Sequence, residues 1–111
     1  MAMKRSKRER LESAGWRVGT AAEFLGLTAE ESAFVEMKLA LADGVRRRRK
    51  AKRLTQVQLA DRIGSSQSRV AKMETADPAV SIDLLVRTLL AMGASRADVA
   101  QVIRKPSRRA A

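Results

Sequence analysis

Gln67, Ser68, Ala71 and Lys72 are side-chain types that can tell base edges apart, and they fall within two turns of one another if the chain there is helical. A glutamine can pair bidentately with adenine. A lysine ammonium can donate to O6 and N7 of guanine, a serine hydroxyl can donate or accept, and an alanine methyl can touch the thymine methyl. At about 100° per residue, a helix that turns Val70 and Met73 inward puts Ser68, Ala71 and Lys72 on the opposite face, with Gln67 and Arg69 at its flanks. On an isolated helix the same row would be a plain solvated face, so its meaning depends on what holds it.

The elements that must hold it are legible on either side. Thr55 can cap a helix whose inward positions Leu59, Ala60 and Ile63 recur at helical spacing and stop at Gly64, a residue suited to positive φ. Ser66 can cap a second helix, and Ala60 is small enough to let the two cross closely. The result is a helix-turn-helix, the supersecondary unit that inserts its second helix in the major groove of DNA.

Charge points the same way. The 111 residues hold 23 Lys and Arg against 12 Asp and Glu, a net charge of +11, and seven of the ten residues from Gly44 to Arg53 are basic with none acidic. Such a run repels itself unless a polyanion supplies the counter-charge. It is read as a phosphate clamp drawn from Arg46, Arg49, Lys50, Lys52 and Arg53. Consecutive arginines point all round a helix, so some must lie beside the core and only some can face DNA.

From about Val45 to Gly93 the chain resembles the Xre/Cro family of lambdoid phage repressors and their bacterial relatives. The resemblance is carried by Leu54-Thr55-Gln56, Leu59-Ala60, Gly64, Ser66-Gln67-Ser68, Val70 and Glu74. It implies that Gln56 contacts a phosphate and braces Gln67, and that Gln67, Ser68 and Lys72 read bases with Ala71 beside them. Thr55, Ser66 and Arg69 complete the expected phosphate contacts. Two residues depart from the pattern: Ser65 stands where the family has an apolar residue, and Arg48 where the preceding helix carries a buried leucine.

The rest of the chain gives an all-α fold, a lambda-repressor-like bundle of about five to six helices with an N-terminal extension. Residues 1–14 are expected to be a basic, flexible arm, 15–103 the DNA-binding domain with its core at 45–93, and 104–111 a basic tail. Two readings of the arm stand, a phosphate or minor-groove contact and a solubilising tail. A short helix from Ala21 to Leu25, with Trp16, Val18, Phe24 and Leu25 as its apolar area, is expected to lie as a lid on the core.

Thr28 and Glu31 form a capping-box pattern opening a long helix to about Lys52, with Phe34, Met37, Leu41 and Val45 on one face. Gly44 leaves open whether it is one helix or two that bend there. Thr75 to Pro78 should turn, and Ser81 should cap a helix with Ile82, Leu85, Val86, Leu89 and Met92 inward and Gly93 at its end. Ser95 and Asp98 should open a last helix from Arg96 to about Ile103. Its apolar side, Val99, Val102 and Ile103, is either core or a dimer surface. Met37, Met73 and Met92 read as core filler.

With no cysteine and no histidine, disulfides, thiolate sites and the usual zinc constellations are excluded, and no cofactor is expected. Scattered single acids do not make a catalytic site, so no enzyme is expected. No apolar run approaches the roughly 20 residues of a membrane span, which places the protein in the cytoplasm, on the nucleoid. Trp16 and two phenylalanines are the only aromatics, too few for single-strand stacking platforms.

The function expected is that of a sequence-specific regulator binding double-stranded DNA as a homodimer, acting as an autorepressor. Length, a single motif and the N-terminal extension are similar to HigA-like antitoxins, which implies a small ribonuclease toxin as a further partner. The alternatives are a stand-alone phage-type repressor and an RNA-binding or coactivator-bridging protein.

Overall fold

The computed structural model describes residues 25–105. Within them lie five helices, α1 (Ala29–Ala51), α2 (Gln56–Ile63), α3 (Gln67–Glu74), α4 (Ile82–Ala91) and α5 (Arg96–Arg104), and no strand. The expectations for the arm at 1–14, for Trp16 and Val18, for the lid helix up to Phe24 and for the tail beyond Lys105 lie outside the described residues.

Each helix begins on the hydroxyl expected to cap it. Thr28, Thr55, Ser66, Ser81 and Ser95 are all extended N-cap residues whose side chains accept a backbone N–H of the first turn. At Thr28, Thr55 and Ser95 the third helical residue, Glu31, Gln58 or Asp98, accepts in return from the cap's own N–H, which satisfies a second orphan donor. Gly64 ends α2 at φ 66° and Gly93 follows α4 at φ 92°, both left-handed as a chain stop of this kind requires. Arg53 takes the same conformation at φ 59° after α1 with no glycine to ease it.

α1 packs on α3, α4 and α5, and α2 packs on α3 and α4. The core is built from Leu41 and Val45 of α1, Leu59 and Ala60 of α2, Val70 and Met73 of α3, Leu85 and Leu89 of α4, and Val80 and Met92 at its ends. Thr88 is buried among them and donates to the Sδ of Met73 at 3.4 Å. The 75–78 turn is tied to α1 by Lys38, which donates to the carbonyl of Asp77 at 3.1 Å.

Two expectations are corrected here, and the question left open at Gly44 is answered. α1 does not break at Gly44 but runs through it, because the glycine serves packing and not bending: a Cβ there would lie 2.7 Å from Cγ1 of Val102 on α5. Phe34 and Met37 are not core. The buried residues of α1 run only from Ala40 to Val45, since the other helices cover only its second half, and Phe34 is left 56% exposed. Leu25, expected in the lid, is exposed as well. Val99, Val102 and Ile103 are half-buried against the core, the packing alternative of the two considered for them.

Candidate nucleic-acid interface

α3 is held by its apolar side. Val70 and Met73 are fully buried, so the helix turns Gln67, Ser68, Arg69 and Lys72 out to solvent, while Ala71 is only half-buried at the edge of the face. Hydrophobic burial thus sets the rotation of α3, and the polar residues at the remaining angles form its open surface.

The first of these side chains is braced by a chain of hydrogen bonds. Gln67 Nε2 donates to Oε1 of Gln56 at 2.6 Å, Gln56 Nε2 donates to Oε1 of Glu74 at 3.2 Å, and Arg49 grips the same carboxylate through Nε and Nη2. The third guanidinium nitrogen, Nη1, donates to the carbonyl of Leu54 at 2.8 Å. Arg49 on α1, Gln56 at the start of α2, and Gln67 and Glu74 at the two ends of α3 are thereby joined. Glu74 is 4% exposed, and its carboxylate hydrogen bond is the main cause that raises the already high pKa of Arg49.

Arg49, one of the expected phosphate contacts, is thus turned inward. Each of its three guanidinium nitrogens donates inside the protein and its side chain is 11% exposed. The other basic candidates, Arg46, Lys50, Lys52 and Arg53, are exposed. Thr55 and Ser66 sit just before α2 and α3 as their N-caps, where their hydroxyl oxygens accept from the N–H groups of Gln58 and Arg69 at 3.0 and 3.2 Å. An oxygen that accepts there keeps its own hydrogen for another acceptor. The Arg49–Glu74 pair was missed in the sequence. The available signal was the position of Glu74, an acid at the end of a helix whose other charged residues, Arg69 and Lys72, are basic.

The ends of the helices differ in charge. α1, α4 and α5 carry acids in their first turns, Glu30 and Glu31, Asp83, and Asp98, whereas α2 and α3 carry none. The positive ends of the two motif helices are thus left uncompensated, beside Arg69 and the exposed part of the basic run. Among the described residues no group of three or more acids is placed to hold a metal ion, and no helix is long and apolar enough to cross a membrane.

Two short helices crossing at a left-handed glycine, with a polar face on the second, define a helix-turn-helix. The helix-turn-helix family model matches residues 45–99, which takes in α2, α3, α4 and the second end of α1. The chain belongs to the Xre/Cro-type helix-turn-helix family, a class of DNA-binding transcription regulators. No curated protein and no solved structure matches it.

Proposed function

We propose that the protein represses transcription by binding double-stranded DNA sequence-specifically as a homodimer, with α3 in the major groove. The observation that supports this best is Gln67 itself, exposed at the start of α3 yet held by Gln56 and, through it, by the Arg49–Glu74 pair. A side chain fixed before contact loses less freedom on binding and presents one pattern of donor and acceptor to a base edge. Gln67, Ser68 and Lys72 are the proposed readers, with the Ala71 methyl beside them. Gln56, Thr55, Ser66, Arg69, Arg46, Lys50, Lys52 and Arg53 are the proposed phosphate contacts.

One α3 helix spans only a few base pairs, so useful discrimination calls for two copies on half-sites about one helical turn apart. Occupying a promoter is enough to exclude polymerase, which makes autorepression the simplest use of a domain this small. The cytoplasm, on the nucleoid, is the corresponding location.

A second reading is that the repressor also neutralises a co-encoded ribonuclease toxin. It is favoured by the apolar side chains left open on the first half of α1, Phe34, Val35 and Met37, which lie apart from the reading face. Co-expression with the neighbouring gene tests this second role. If that gene alone does not slow growth, or this chain does not restore it, the antitoxin role falls and the repressor stands. The DNA reading is tested by enriching duplexes from a random library and by comparing duplex DNA with duplex RNA. A failure to enrich any sequence, or a preference for RNA, sinks it.

A further inference from the structure

A second concentration of positive charge lies between α1 and α5. Between the second half of α1 and α5 a cleft of about 380 Å³ is lined by Arg47, Arg48, Ala51, Lys52, Val102 and Lys105 among others. At about 100° per residue, Arg48 projects on the opposite side of α1 from Arg46 and Lys50, with Ala51 about 120° and Arg47 about 80° round from them. Arg48 thus faces away from Arg46 and Lys50, while Lys52, one of the proposed phosphate contacts, also lines the cleft.

The cleft is not neutralised from within. Arg47 has Asp43 at 3.2 Å and Arg48 has Asp98 at 3.4 Å, but Lys52 and Lys105 have no ion pair among the described residues. Two arginines and two lysines thus line the cleft, and only the two arginines have carboxylate partners. Guanidinium is the donor best matched to phosphate oxygens, and flexible ammonium groups supplement it as point charges. Its apolar lining comes from Val102 and Ala51, with α5 drawn close by Gly44.

We propose that this cleft binds a small organic phosphate of about the size of a nucleoside monophosphate, the phosphate among Arg48, Lys52 and Lys105 and the organic group on Ala51 and Val102. The volume falls in the range of small-molecule sites, which is more than an inorganic ion fills. A duplex backbone is a convex ridge and meets cations best on an open surface, whereas these line a cleft that they share with Ala51 and Val102. The assignment goes beyond DNA reading and does not depend on it.

Titration calorimetry on the full chain at physiological ionic strength tests it, with AMP, a hexose phosphate, adenosine and inorganic phosphate as probes. AMP or the hexose phosphate should bind saturably at one site, about tenfold or more tighter than inorganic phosphate or adenosine. The Arg48→Gln/Lys105→Gln double variant should weaken binding about tenfold or more, and Lys52→Gln, which disturbs no ion pair, should weaken it in the same direction. Circular dichroism confirms that the variants fold. Absence of saturable binding, equal binding of inorganic phosphate, or unchanged binding by folded variants each overturns the proposal. If the probes fail and the double variant lowers the salt slope on random duplex by about two units, the cleft is a backbone contact instead.

Discussion

Gln67 donates to Gln56 and not the reverse, because Gln56 has already turned its amide nitrogen toward Glu74. A carboxylate only accepts, so Nε2 of Gln56 must face it and Oε1 is what remains for Gln67. Gln67 in turn uses one N–H and keeps its carbonyl oxygen and its second N–H. Those are the acceptor and donor that an adenine edge takes. The charge of one buried acid thus sets the polarity of two amides on two other helix ends.

The Arg49–Glu74 pair is the anchor of that chain, and removing one partner should cost far more than removing both. Glu74→Ala leaves a nearly buried guanidinium unpaired and should lose about 3–5 kcal/mol in urea unfolding. Arg49→Met with Glu74→Leu should regain most of that. Equal losses in the single and double variants would show that the pair is not coupled.

Gly44→Ala offers a test in which local and tertiary effects have opposite signs. Alanine favours a helix interior by about 1 kcal/mol, but its Cβ would stand 2.7 Å from Cγ1 of Val102, and overpacking costs about 1–3 kcal/mol. A net loss of about 1 kcal/mol is expected, and Val102→Ala in the same chain should turn the alanine from harmful to helpful. A stabilising Gly44→Ala on its own would mean that α5 yields without cost.

Asp98 gives the pH dependence. The backbone N–H of Ser95 chiefly, then its hydroxyl and the Arg48 charge, hold the Asp98 carboxyl below its ordinary value. A depressed folded pKa contributes stability above the unfolded value of about 3.9 and loses it as pH falls through the folded one. The Tm gap between the natural chain and Asp98→Asn should therefore be largest near neutrality and shrink as the pH falls below about 4. A gap that widens in acid would contradict this.

Arg53 pays a conformational cost at φ 59° that glycine would not. Arg53→Gly should raise stability by about 0.5–1 kcal/mol while weakening all duplexes alike and lowering the salt slope by about one unit. Higher stability with an unchanged slope would remove Arg53 from the phosphate contacts.

What was legible in the sequence was local. Thr28, Thr55, Ser66, Ser81 and Ser95 announce helix starts because a cap acts within three residues, and Gly64 and Gly93 announce stops for the same reason. The rotation of α3 could be read because Val70 and Met73 leave only one side to bury. The fate of Phe34 and Met37 could not, since periodicity gives the apolar face of α1 but not how far its partners reach along it. Arg49 was one of seven similar charges until Glu74, 25 residues away, could be seen to select it. Gly44 looked like a weak point in a helix, and only the approach of α5 shows it to be a packing site.

The central claim is that the exposed face of α3 reads sequence. Fluorescence anisotropy on an enriched duplex and on a random one, at matched salt, measures it directly for Gln67→Ala and Lys72→Ala. Each variant should lose about 1–3 kcal/mol on the enriched duplex and little on the random one, because base contacts specify and phosphate contacts position. Equal weakening on both duplexes would contradict the account and make this face one more cationic surface.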